Sequence, residues 1–254
     1  MKIHRFYNAN LTNSDIKSKS FNIKDKAQIS QIINVLRLET GDSIILFNGT
    51  TSVDYLCKIK DISKSAVQLD ITEEIDVTPP SRKINVYMSF IKKDLVEDTV
   101  NKLVQMGVTE FTPIITDRTE SKNVHINVER INRIVAEATE QSGRAELMTI
   151  NSPLRLKDVL ETHSTSLGNK RSEQSGQDYV FDIAGTANVQ NIIGGANSGE
   201  AINLYFGPEG GWTNEELETF NRIAIDNSNF HIVKLGDFTM RAETAVIAGV
   251  AKVL

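Results

Sequence analysis

The sequence predicts an α/β protein: a largely parallel sheet preceded by a small β-rich domain. Apolar strands alternate with helix-period segments after residue 80, which is typical of a parallel sheet covered by helices. The first third instead contains short strands with period-two alternation. The prolines within residues 78–81 separate the two patterns, because proline interrupts a strand ladder. We therefore assign residues 1–76 to a small β-barrel domain and residues 77–254 to the α/β domain.

In the first domain, β-branched enrichment or alternation predicts four strands, and polar turns at residues 39–42 and 48–50 punctuate them. Isoleucines and a leucine at helical spacing predict one helix over residues 27–36. This pattern suggests a small barrel with one helix. The four strands cover residues 2–7, 43–47, 54–60 and 65–71.

In the second domain, Asp94 and Glu97 form a potential capping box for one helix, and Thr213 with Glu216 for another. The final segment, 243–254, is apolar nearly all round and is expected to be buried in a core or a subunit contact. Polar segments 161–178 and 185–200 are interpreted as surface loops. The remaining strands are predicted at 84–90, 108–116, 147–150, 179–183, 202–206 and 230–235, and helices at 127–143 and 214–224.

Composition excludes several classes of protein. With 254 residues and 40% hydrophobic content, the chain can bury a core, so global disorder is excluded. No apolar run is long enough for a membrane span, and the first residues lack the apolar region of a secretory signal. The single cysteine, Cys57, excludes an internal disulfide. One cysteine and four histidines in the whole sequence argue against a zinc site. We expect a cytoplasmic protein without a metal.

The charge is unevenly distributed. The net charge of −5 argues against a general polyanion binder. Residues 2–26 nevertheless carry six basic and two acidic side chains, so the N-terminal segment is the best candidate for meeting nucleic acid. On charge alone, a solvated protein face is the simpler interpretation.

Two loops that follow predicted strands carry the chemistry. Gly207–Gly211 reads GPEGG, and its glycines would let main-chain groups approach a ligand at the carboxyl edge of a parallel sheet. Neither the phosphate-loop ending nor the dinucleotide fingerprint is present. A tight strand-to-helix turn is the alternative. In the second loop, Arg241 either pairs with Glu243 at a helix start or stabilises negative charge on a substrate.

These two segments resemble a known family. Residues 206–216 read FGPEGGWTNEE, and Leu235-Gly236 is followed by MRAETA at 240–245. They are similar to the SPOUT methyltransferases and, more closely, to the 16S ribosomal RNA uridine-N3 methyltransferases. The likeness covers nearly the whole chain. It includes a PUA-like pattern (IHRF at 3–6, VLRL at 35–38) and the segments DR at 117–118 and EQSGR at 140–144.

The chain also departs from the family pattern. Ser30 and Gln31 stand where two histidines are usual, and Ala242 replaces a threonine. Gln105 and Leu95 occupy positions that are often Glu and basic, respectively. None of these changes lies in GPEGG or at Arg241, so they bear on RNA contacts more than on cofactor binding.

The resemblance implies a SPOUT-type parallel sheet with a C-terminal trefoil knot, which a general rule of chain topology would not predict. It implies S-adenosyl-L-methionine as cofactor, with Ile183, Leu235 and Phe238 around adenine and Glu209 near the positive charge. The implied cofactor-binding residues are Asp182, Ile183, Phe206, Gly207, Pro208, Glu209, Gly210, Gly211, Leu235, Gly236, Phe238 and Met240.

The implied reaction methylates N3 of a specific uridine in the 16S rRNA of the small ribosomal subunit. Catalysis would fall to Arg241 as oxyanion stabiliser, with Glu209 or Glu243 assisting proton removal. The target base would leave its stack to reach the pocket. A homodimer formed through the apolar C-terminal helix is expected. Candidate phosphate contacts are Arg5, Arg37, Arg118 and Arg144, for each of which a surface salt bridge is the alternative.

Two other functions remain open at this point. A SPOUT ribose 2′-O-methyltransferase would share the loops, although its N-terminal extension usually differs. A non-catalytic RNA-binding or ribosome-assembly protein would keep the scaffold without the reaction. Ala242 and the missing histidines are the only sequence features that favour the non-catalytic alternative.

Overall fold

A computed structural model describes residues 3–119, 126–164, 176–185, 187–188 and 200–254. The chain forms two compact units. The first contains Met1–Pro79 together with Ala136–Leu147, and the second contains Pro80–Val135 and Met148–Leu254. The sequence predicted a boundary between residues 76 and 77, and it gave no sign that 136–147 belongs with the N-terminal unit.

The first unit is built on a five-stranded sheet with strand order β1-β3-β4-β5-β2. β1 and β3 pair in parallel, and the other neighbours are antiparallel. Apolar side chains of alternate strand positions meet the helices in one core, with Ile32, Ile44 and Val67 fully buried. The strands are β1 (His4–Tyr7), β2 (Ser20–Ile23), β3 (Ser43–Phe47), β4 (Val53–Ile62) and β5 (Val67–Asp76).

Two local features of this unit differ from the prediction. Helix α1 (Asn13–Ser18) and strand β2 were not predicted, because α1 is polar at most positions and β2 has only four residues. The predicted helix over 27–36 is an α-helix, α2 (Lys26–Ser30), that continues into one π-helical turn, Gln31–Val35. α1 begins at Thr12, whose side chain forms a capping box with Asp15.

The second unit contains an eight-stranded sheet in which every pairing is parallel, as the alternating pattern predicted. Its order is β11-β13-β10-β12-β6-β7-β8, with β9 also pairing with β7. The strands are β6 (Ile84–Ser89), β7 (Glu110–Ile115), β8 (Thr149–Ile150), β9 (Leu154–Arg155), β10 (Gln177–Phe181), β11 (Ala187–Asn188), β12 (Ile202–Phe206) and β13 (Phe230–Lys234).

The helices of this sheet domain are α3 (Lys93–Gln105), α4 (Val128–Ser142), α5 (Leu156–Ser164), α6 (Asn214–Asp226) and α7 (Ala242–Val253). α4 runs from the second unit into the segment that packs with the first. Among the residues described, no helix has the length and apolar character that crossing a membrane requires.

The capping predictions had different outcomes. Thr213 caps α6, and Glu216 completes the capping box as expected. The box at α3 was wrong: the helix begins after Lys92, which makes no side-chain cap. Glu97 instead accepts from Arg130 Nε at 2.7 Å, so its carboxylate is used for an ion pair.

The two predicted surface loops are largely outside the described residues. Within 161–178, residues 161–164 belong to α5 and strand β10 begins at Gln177, whereas 165–175 are not described. Of 185–200, only Gly185, the two residues of β11 and Glu200 are described.

Candidate functional site

The loops that follow three neighbouring parallel strands lie at one edge of the sheet in the second unit. β10 lies between β13 and β12, so their carboxyl ends are adjacent. The loops that follow enclose a cavity of about 280 Å³, named here the carboxyl-edge pocket. This is where a parallel sheet usually binds ligands. Its lining residues are Phe181, Asp182, Ile183, Phe206, Gly207, Pro208, Glu209, Gly210, Gly211, Trp212, Leu235, Gly236, Phe238, Thr239, Met240, Ala242 and Ala245.

All twelve residues that the resemblance assigned to cofactor binding line this pocket. The structure adds five others that sequence reasoning did not name. Phe181 and Trp212 could have been predicted from the sequence, because Phe181 immediately precedes one predicted cofactor-binding segment and Trp212 immediately follows another. Ala242 and Ala245 enter because the first turn of α7 faces the pocket, and Thr239 completes the loop before it.

The glycine loop is folded around the indole of Trp212. A side chain at Gly207 would begin 3.1 Å from the Trp212 ring, so only glycine fits without displacing it. Trp212 Nε1 donates to the carbonyl oxygen of Phe181 at 2.9 Å, which joins this loop to the end of β10. Gly211 adopts a φ of 67° and donates its N–H to Pro208 O, forming the tight turn that favours glycine.

The loop after β10 lies against the end of β13. Asp182 N donates to Val233 O at 3.0 Å, and the Asp182 carboxylate accepts from Ala184 N at 2.7 Å. A Cβ on Gly185 would lie 2.4 Å from the carbonyl carbon of Val233. The backbones of these two segments are therefore in direct contact.

Aromatic rings form the base of the pocket. Phe181 and Phe206 stack with centroids 4.6 Å apart and planes at 5°. Gly249 of α7 lies against them, since a Cβ there would be 2.6 Å from Phe206 Cζ. This helix thereby packs closely enough for its first turn to line the site.

The rim of the pocket exposes apolar side chains. Ile183 is 61% exposed, Phe238 is 86% exposed and Met240 is 37% exposed. Exposed large apolar groups clustered around a cavity are typical of a site that binds a ligand or a partner. The arrangement suits an apolar planar ligand held between side chains and main-chain groups.

The three predicted catalytic residues surround this cavity differently. Glu209 lines the pocket and is exposed, whereas Arg241 and Glu243 lie beside it without lining it. Arg241 is the N-cap residue of α7, where the helix dipole adds positive potential. Within the described chain, no ion pair joins Arg241 to Glu243, which was the alternative interpretation of this residue.

Arg5, predicted to contact phosphate, is used inside the first unit. Its guanidinium binds Asp54 through two hydrogen bonds of 2.6 and 3.1 Å and donates to the carbonyls of Thr139 and Arg144. The side chains of Arg5 and Asp54 are only 10% and 8% exposed. The structure therefore corrects the prediction: Arg5 ties residues 136–147 to the strands.

The other three arginines have distinct environments. Arg144 is half-buried, and burial lowers the pKa of its guanidinium, with Glu146 opposing the shift. Arg37 is exposed and has a φ of 53°. Arg118 lies on the second unit, where its Nη1 donates to Gly210 O at 2.5 Å and Trp212 O at 3.0 Å. Arg37 and Arg118 are the exposed members of this set.

Within the parts of the chain that are described, no group of three or more His, Cys, Asp or Glu side chains is placed to hold a metal ion.

Two family models match the chain. An RNA methyltransferase domain matches residues 78–254, and an RNA methyltransferase PUA domain matches residues 25–72. The first covers most of the chain and the whole carboxyl-edge pocket.

Several similar proteins share one name, ribosomal RNA small subunit methyltransferase E. The ribosomal RNA small subunit methyltransferase E of Rickettsia conorii is 29% identical over 254 residues, covering 100% of this chain and 96% of that protein. The protein of the same name from Synechocystis is 28% identical, covering 89% and 70%. The crystal structure of the Neisseria gonorrhoeae enzyme of that name, bound to S-adenosyl methionine, is 25% identical with a TM-score of 0.76 and covers 98% and 96%.

Proposed function

The chain belongs to the RNA methyltransferase family, and we propose that it methylates N3 of a specific uridine in the 16S rRNA of the small ribosomal subunit. S-adenosyl-L-methionine is the proposed cofactor. The carboxyl-edge pocket carries this proposal, because its lining contains every residue that the resemblance associates with that cofactor. The relative from Neisseria gonorrhoeae, crystallised with S-adenosyl methionine, supports the same choice.

The pocket's donor set fits this cofactor. Its apolar side chains, including Ile183, Leu235 and Phe238, suit an adenine ring, and its glycine loop offers main-chain groups for the polar parts. Glu209 places a carboxylate where a positive amino or sulfonium group would be stabilised. The bound cofactor would supply an electrophilic methyl group.

The residues beside the pocket account for the rest of the chemistry. Removing the N3 proton leaves negative charge on the uracil oxygens, which Arg241 and the N-terminus of α7 would stabilise. Glu209 or Glu243 would accept the proton, directly or through water. Positioning the base in line with the methyl group supplies the remaining acceleration.

The role of Arg241 is tested by Arg241→Ala, with Arg222→Ala on the exposed face of α6 as the matched control. We expect turnover to fall by about 10²–10³ while cofactor affinity changes little, because the arginine acts on charge that develops during reaction. Unchanged turnover would remove Arg241 from the mechanism. Glu209→Gln and Glu243→Gln, compared by pH–rate profile, identify the proton acceptor.

We assign RNA binding to the first unit, with Arg37 and the lysines within residues 2–26 as candidate contacts. Replacing Arg37 by Met is expected to reduce the salt-dependence slope of RNA binding by about one. A slope equal to that of the unmodified protein would exclude a phosphate contact at this residue.

The proposed assembly is a cytoplasmic homodimer with a trefoil knot in the second unit. α7 supports a two-fold contact, since its half-buried Ile247 and Ala248 and its exposed Leu254 extend an apolar face. The close crossing of Gly185 and β13 is the kind of contact that a threaded chain requires. Sedimentation as a monomer at micromolar concentration would refute the dimer.

The reaction is tested with purified protein, S-adenosyl-L-methionine carrying a labelled methyl group, and small ribosomal subunits that lack the modification. Digestion of the RNA identifies the product nucleoside. Labelled 3-methyluridine is the expected result. A 2′-O-methyl nucleoside would indicate the ribose enzyme, and failure to bind the cofactor would favour a non-catalytic RNA-binding protein.

A further inference from the structure

We propose that Arg118 is a positioning residue that holds the glycine loop of the carboxyl-edge pocket in its cofactor-binding shape. This assigns to the turn after β7 a role in cofactor affinity. The inference rests on the proposed use of S-adenosyl-L-methionine. It is separate from the phosphate contact that the sequence suggested for this arginine.

Arg118 fixes two peptide groups of the loop from outside the pocket. Its Nη1 donates to the carbonyl oxygens of Gly210 and Trp212 at 2.5 and 3.0 Å. Its aliphatic stem packs over Gly210, where a Cβ would be 3.4 Å from Arg118 Cδ. A charge-assisted hydrogen bond of this kind is stronger than one between neutral groups.

The same two peptide groups are bonded on their N–H side as well. The N–H of Gly211 donates to Pro208 O at 2.9 Å, and the N–H of Thr213 donates to Glu216 Oε2 at 2.8 Å. Each peptide plane is thus held at both ends, so its orientation in the pocket wall depends on Arg118. Main-chain recognition requires such fixed peptide planes.

Glu216 also connects the end of the glycine loop to the turn that carries Arg118. Its second oxygen, Oε1, accepts from the backbone N–H of Asp117 at 3.0 Å. Consecutive residues 117 and 118 therefore both hold the segment 210–216, one through a carboxylate and one through a guanidinium. This double connection distinguishes Arg118 from an isolated surface arginine.

The turn that carries Arg118 is itself anchored in the core. The buried hydroxyls of Ser89, Thr116 and Thr119 lie within 2.9–3.1 Å of one another. Thr119 Oγ1 also accepts from Thr116 N at 2.9 Å, and these three residues are at most 4% exposed. A rigid base allows the arginine to restrain the loop instead of following it.

The test compares Arg118→Met, which keeps most of the stem without donors, with Arg118→Lys, which keeps the positive charge and one donor nitrogen. Arg222→Met is the control for losing an exposed arginine in the same unit. Binding of S-adenosyl-L-methionine is measured by calorimetry without RNA. Because Trp212 is the only tryptophan of the chain, its fluorescence reports the loop directly.

We expect Arg118→Met to weaken cofactor binding about tenfold, Arg118→Lys to recover part of this loss, and Arg222→Met to match the unmodified protein. The Trp212 emission should change in Arg118→Met and return toward normal in Arg118→Lys. Wild-type affinity in Arg118→Met overturns the inference, whatever happens to RNA binding. If the unmodified protein itself fails to bind the cofactor, the proposed function fails instead.

Discussion

Replacing Gly185 by alanine tests the close crossing that shapes the pocket. An added Cβ would lie 2.4 Å from Val233 C, 2.7 Å from Lys234 N and 2.8 Å from Val233 O. All three are backbone atoms of a paired strand and cannot rotate away. Overpacking of this kind costs about 1–3 kcal/mol, and we expect the upper end because no side chain can adjust.

Gly236→Ala is the matched control. Gly236 lies at the same sheet edge, nothing is within 4 Å of its added Cβ, and neither glycine has a left-handed φ. Alanine there should stabilise by about 0.4–1 kcal/mol by restricting the unfolded chain. The two variants should therefore differ by about 2–4 kcal/mol.

The assay is urea unfolding followed by Trp212 fluorescence, which reports the unit containing both glycines. A loss of about 3 kcal/mol also lowers the melting temperature by about 10 °C for a protein of this size. The reasoning is refuted if Gly185→Ala and Gly236→Ala have the same stability within about 0.5 kcal/mol.

Three further outcomes are expected. Arg5→Met should destabilise the first unit by about 3–5 kcal/mol, because it leaves the buried carboxylate of Asp54 unpaired. The control Arg37→Met should change stability by less than about 0.5 kcal/mol. Equal effects of the two substitutions in chemical denaturation would contradict this. Burial raises the pKa of Glu140 above its ordinary 4.5, so the stability that its protonated carboxyl contributes is present below that pH and is lost as pH rises. Glu140→Gln should therefore be more stable than the wild type at pH 7. A difference in unfolding free energy between the two proteins that failed to close near pH 4 would contradict this. Burial also raises the pKa of Cys57 to about 12, so a thiol reagent at pH 8 should react only after unfolding, and rapid labelling of the native protein would count against the buried position.

The sequence by itself determined the features that are written in consecutive residues. The alternation of apolar runs and helix-period segments predicted the parallel sheet, because strand and helix periods are local properties. Strand order along the chain placed GPEGG and the Leu235-Gly236 loop after strands whose carboxyl ends share an edge. The capping box of Thr213 and Glu216 was predictable for the same reason, since both partners lie within one helical turn.

The tertiary structure decided what depends on partners that are distant in sequence. Arg5 is bound to Asp54, 49 residues away, so it is not the free phosphate contact that its charge suggested, and Arg118 donates to Gly210 O, 92 residues away. Glu97 was assigned to a helix cap but pairs with Arg130. A side chain's charge is visible in the sequence, whereas the group that neutralises it is fixed only when packing brings distant segments together.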